Sequence, residues 1–110
     1  MSMTFNDLKL QREKLLEEMS MLTHALQGSL FERFTTCSRP SCSCHDGNRH
    51  GPRYYLVVYE HGHQRQKYVP LDQVAAVKNG IRQYNRMQNI IQELTQINVK
   101  LMRKKYFADS

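Results

Sequence analysis

Apolar residues recur at Phe5, Leu8, Leu15, Met19, Leu22 and Leu26, a three-and-four spacing broken at Arg12. That period predicts an amphipathic, heptad-like helix over residues 4–27. Thr4 followed by Asp7 resembles an N-terminal cap, and Gly28-Ser29 supplies a stop. A longer pattern through Val74, Val77, Ile81, Tyr84, Met87, Ile91, Leu94, Ile97 and Leu101 predicts a second helix over 71–104. Asp72 near its start and Arg103, Lys104 and Lys105 near its end suit the helix dipole.

Between the helices, "RYYLVVYEHGHQRQKYV" has the alternation of a β-hairpin over 53–69, with His61-Gly62 as a two-residue loop. That loop sets Glu60 opposite His63, Val58 opposite Arg65, Leu56 opposite Lys67 and Tyr55 opposite Tyr68. Tyr55, Val57 and Tyr59 then share one face, and Tyr54, Leu56 and Val58 the other. Both faces are apolar, so both are expected to find cover. "SLFERFTT" before the hairpin fits a strand or a helical turn equally.

These elements predict a mainly α single domain over 1–110 with a small β-hairpin. Two long helices flank the hairpin and the cysteine-bearing segment 37–50. So little sheet cannot cover two long apolar stripes, so the helices pair with each other or with a second copy, as a dimeric coiled coil or bundle.

Composition narrows the class. Of the 110 residues, 40% are hydrophobic and 24% charged, which excludes wholesale disorder. No apolar run reaches membrane-spanning length, and the charged N-terminus shows no signal-peptide core, so a cytoplasmic location without membrane association is expected. The net charge of +6 is uneven. Residues 1–27 carry three basic and four acidic side chains, 28–70 carry six and three, and 71–110 carry seven and three. A basic centre and C-terminal segment attract polyanions, nucleic acid first among them.

All three cysteines and two of the five histidines fall within "CSRPSCSCHDGNRH". Cys37, Cys42, Cys44 and His50, spaced C-x4-C-x-C-x5-H, form a complete tetrahedral donor set for one structural zinc ion. An odd cysteine count in a reducing compartment argues against a disulfide framework. His45 and Asp46 are alternative fourth ligands, although His45 directly follows Cys44, and adjacent residues reach one ion only with strain. A filled shell leaves no position for substrate or water. With no paired carboxylates and no phosphate-cradling glycine loop, an enzyme is not expected.

The segments "GSL" (28–30), C-x4-C-x-C, "HGP" (50–52), "YYL" (54–56), "YVP" (68–70) and "ELTQIN" (93–98) resemble an uncharacterised family of small bacterial and archaeal proteins. Some of these are encoded beside transposases and other mobile-element genes. The resemblance, over residues 28–98, implies a helix, Cys-rich loop, hairpin, helix order. It matches Cys37, Cys42, Cys44 and His50 to recurrent Cys and His positions, implies no fixed histidine at His45, and places Arg53 where the family tends to carry an aromatic. It tilts the functional expectation toward DNA-related work in mobile elements.

The function expected is therefore a zinc-binding protein that binds nucleic acid, DNA before RNA, as a regulator or accessory factor of mobile DNA. Arg39, Arg49, Arg53, Arg65 and Lys67 surround the loop and hairpin, while Lys78, Arg82 and Arg86 recur along one helix stripe that is equally a solvated face. Outward tyrosines among Tyr54, Tyr55, Tyr59 and Tyr68 offer stacking for single-stranded bases, and inward ones are core. The alternative is a homodimeric interaction adaptor whose zinc loop and hairpin contact a partner protein.

Overall fold

A computed structural model describes residues 4–35 and 50–104. Helix α1 (Phe5–Ser20) is followed by strands β1 (Ser29–Thr35), β2 (His50–Glu60) and β3 (His63–Val69), a 3-10 turn (Leu71–Gln73) and helix α2 (Val74–Arg103). The strands form one antiparallel sheet in the order β1-β2-β3. The fold is α+β, which corrects the expected mainly α arrangement of two long helices flanking a small hairpin. The physical reason lies in "SLFERFT", which completes the sheet as a third strand along the free edge of β2. A lone two-stranded ribbon is marginal in water, whereas a third strand gives β2 hydrogen-bond partners on both sides.

The described chain divides into two compact units, one of residues Leu26–Ile81 and one of the chain before Leu26 and after Ile81. Within the second, helical unit, α1 opens with a capping box in which Thr4 and Asp7 each bond the other's backbone N–H. The helix stops at Ser20, short of the expected Gln27. Its last turn carries Glu17 and Glu18 and no cation, the wrong sign for the dipole. Leu8, with no exposed surface, packs with Ile97 and Leu101 of α2, and Phe5 and Leu15 lie against this cluster. The backbone N–H of His24 donates to Gln83 Oε1 at 2.9 Å instead of extending the helix.

Within the sheet unit, the β2–β3 register is the one the two-residue loop predicts, from Glu60↔His63 to Tyr55↔Tyr68. His61 (φ 53°) and Gly62 (φ 81°) both sit in the left-handed region, as a type I′ turn requires. On one sheet face Leu56 and Val69 are buried against Val74, with Leu26, Leu30, Tyr54, Val58, Val77 and Ile81 around them. The Leu26 N–H donates to the Gly80 carbonyl at 2.9 Å, fixing the entry to β1. Gly28, expected as a helix stop, serves as a close approach. A Cβ there would meet the Val57 carbonyl oxygen at 2.6 Å and Leu56 Cδ1 at 3.0 Å.

Candidate nucleic-acid interface

Cross-strand partners in an antiparallel sheet share a face, so the register assigns each side chain. Ser29, Val57 and Gln66 form one row of the outer face, Phe31, Tyr55 and Tyr68 the next, and Arg33 with Arg53 a third. The rings form a continuous strip. Phe31 and Tyr55 lie 5.9 Å apart between centroids at 25°, and Tyr55 meets Tyr68 edge-on, also at 5.9 Å and at 68°. The Arg33 guanidinium lies 4.8 Å from the Tyr55 centroid and 5.4 Å from that of Phe31, within cation–π range of both. Its Nη2 donates to Gln66 Oε1 at 3.2 Å, which ties the arginine to the far strand.

The opposite face differs in chemistry as well as in burial. Both carboxylates among the described strand residues, Glu32 and Glu60, fall there by register, leaving the outer face with arginines and no acid. Glu60 is paired with Lys67 at 2.9 Å. Tyr54 sits beside Glu32, and desolvation followed by that carboxylate pushes its phenol above the ordinary value, so it stays protonated. On the outer face of β2, Tyr55 and Val57 are half-buried. Tyr59 and Tyr68 are 74% and 61% exposed.

Among the described residues, the expected cations of the hairpin divide between the two faces of the sheet. Arg53 stands on the outer face opposite Arg33, while Arg65 and Lys67 are exposed on the other face. On α2, Lys78 and Arg82 are exposed. Arg86 is engaged within the helical unit: its Nε and Nη2 donate to the two carboxylate oxygens of Glu18 at 2.5 and 2.7 Å, and Glu93 lies 3.8 Å from Nη2. This bidentate hydrogen bond holds the Glu18 carboxyl below its ordinary range. Arg39, Arg49 and the expected ligands Cys37, Cys42 and Cys44, with the alternatives His45 and Asp46, lie outside the described residues. Of His50 the backbone is described, and it pairs with Thr35 across β1 and β2.

Sequence reasoning missed Phe31 and Arg33, since "SLFERFTT" had no assigned element. The signal was present. As a strand, its alternation puts Phe31 and Arg33 on one side and Leu30 and Glu32 on the other, the split the sheet uses.

A family described as a domain of unknown function, DUF6788, matches residues 5–79. The match includes α1 and the whole sheet and stops short of "ELTQIN", so it begins before the segment that carries the resemblance above and ends within it. No curated protein and no solved structure matches the chain. Among the described residues, no helix is long and apolar enough to cross a membrane.

Proposed function

The chain belongs to the DUF6788 family, and on that premise we propose that it is a nucleic-acid-binding protein, not an enzyme, whose interface is the outer face of the sheet. The observation that carries this reading is a row of half-buried Phe31 and Tyr55 and exposed Tyr68 crowned by Arg33, beside Arg53, on a face from which register removes both carboxylates. Arginine attracts phosphate and aromatic planes attract bases. Binding measured by fluorescence anisotropy across salt concentrations tests it. Wild type is expected to weaken as salt rises, by a log–log slope of about −0.7 per phosphate neutralised on a single strand, and Arg33→Glu/Arg53→Glu to lose binding while circular dichroism shows it still folded. Salt-insensitive retention of a protein and no nucleic acid would favour the adaptor reading.

Cys37, Cys42, Cys44 and His50 are proposed to hold one structural zinc ion. The donor set fits, and the Thr35↔His50 pairing supports it by bringing the ends of the segment to adjacent strand positions. About one zinc per chain in the purified protein, lost in Cys42→Ser together with thermal stability, is expected. Normal stability after chelation would refute it. A cytoplasmic accessory role in mobile DNA follows the resemblance. For a homodimer, half-exposed Leu10, Leu16, Ile91 and Met102 of the helical unit offer apolar surface. Sedimentation of wild type against Ile91→Lys tests that contact.

A further inference from the structure

We infer that the outer sheet face takes single-stranded DNA, and that Arg33 there is a stacking plane, not a phosphate clamp. The inference rests on the nucleic-acid reading and specifies its ligand. In a duplex, the bases of each strand are stacked about 3.4 Å apart, and their flat faces are closed to a protein. The rings of Phe31, Tyr55 and Tyr68 step across the three strands at 5.9 Å, and the exposed Tyr68 ring together with the Arg33 guanidinium over the other two offers flat surfaces that only an unpaired, splayed strand can use.

The two ends of the row offer different seats. Tyr68, 61% exposed, is a bare ring. Over Tyr55 and Phe31 the first plane a base meets is the Arg33 guanidinium, 4.8 and 5.4 Å from the ring centroids and tethered by Gln66. A planar guanidinium stacks on aromatic rings, and a lysine ammonium does not. A base laid on Arg33 therefore completes a ring, guanidinium, base sandwich. Arg53, its cross-strand neighbour, is left to meet a phosphate. The next row places Val57 between Ser29 and Gln66, and its methyl groups suit a deoxyribose edge, whereas the 2′-hydroxyl of RNA loses hydration against them.

The test uses the full chain and labelled oligothymidylate about 12 nucleotides long, within the usual footprint of single-strand binders. A hairpin duplex and oligouridylate of matched charge are the comparison arms, and each is titrated across salt. Single-stranded DNA is expected to bind tightest. Arg33→Lys is expected to keep the salt slope and lose at least about fivefold in affinity, the low end for one lost base stack. Tyr68→Ala, at an exposed position, is expected to show a similar loss with its unfolding midpoint unchanged, and reads the stacking claim even if Arg33→Lys is destabilised. Equal affinity for the duplex or for oligouridylate, or a fully active Arg33→Lys, would overturn this inference and leave the broader reading standing. Absence of binding to all three probes at low salt would remove the broader reading itself.

Discussion

The two faces of the sheet are made from the same three strands, yet they collect opposite chemistry. The packed face gathers Leu30, Leu56, Val58 and Val69 against Val74, Val77 and Ile81, together with both strand carboxylates. The outer face gathers four rings, Val57 and two arginines, and Tyr59 and Tyr68 stay largely exposed. Apolar content alone does not separate the faces, since both are rich in large side chains. Cover and charge do. Aliphatic residues with fixed shapes fill the face that α2 closes, and amphipathic rings that tolerate water line the open one. A single-residue slip would exchange the two sets, so the register that protects the core also defines the candidate interface.

Stability changes break this comparison most sharply. Leu56→Ala, at the centre of the packed face, is expected to cost about 2–5 kcal/mol of unfolding free energy. Tyr55→Ala, its sequence neighbour on the outer face, is expected to cost clearly less while removing nucleic-acid affinity worth about 1–3 kcal/mol. Chemical denaturation and anisotropy on the same two proteins check both halves, and equal destabilisation would show that the outer rings are core.

Gly28→Ala ranks next. A Cβ at 2.6 Å from the Val57 carbonyl oxygen must displace β1 from β2, an overpacking cost of about 1–3 kcal/mol, read as a lowered denaturation midpoint. A midpoint equal to wild type would show that β1 absorbs the methyl group.

The helical unit supplies a contrast with a pH signature. Glu18 has its carboxyl lowered chiefly by the hydrogen bond from Arg86, so the pair stabilises the fold above the ordinary value of 4.5 and the contribution is lost as pH falls through the lower folded value. Glu18→Gln is expected to flatten the acid limb of stability below the ordinary value of 4.5. The sheet's nucleic-acid affinity at neutral pH should be unchanged in this variant. A mutant acid limb as steep as wild type would exclude Glu18 as its source. The smallest expected effect is at the turn, where His61→Asn, better suited to a positive φ, should gain a few tenths of a kcal/mol in thermal unfolding.

How far the sequence discloses this arrangement depends on how local the deciding contacts are. The hairpin register was legible because two adjacent residues, His61 and Gly62, fix it. The long stripe of α2 was legible because its period repeats over many turns. The end of α1 was not, since Leu22 and Leu26 continue the apolar spacing while the backbone N–H groups of His24 and Leu26 find acceptors on Gln83 and Gly80. The third strand was not legible either, because "SLFERFT" becomes a strand only through its distant partner β2. With it went Phe31 and Arg33 of the candidate interface. Arg86 read as part of a phosphate-facing stripe, and its actual partner, Glu18, is 68 positions away in the chain.

The central claim is that ligand meets one face of the sheet and not the other. Side-chain and backbone NMR shifts of the 13.0 kDa chain, followed during titration with oligothymidylate, test it directly. The account predicts shifts that concentrate on Phe31, Arg33, Arg53, Tyr55, Val57 and Tyr68 and spare Leu30, Leu56 and Val58. Shifts centred on Arg65, Lys67 or the α2 cations, with the aromatic row unmoved, would contradict it.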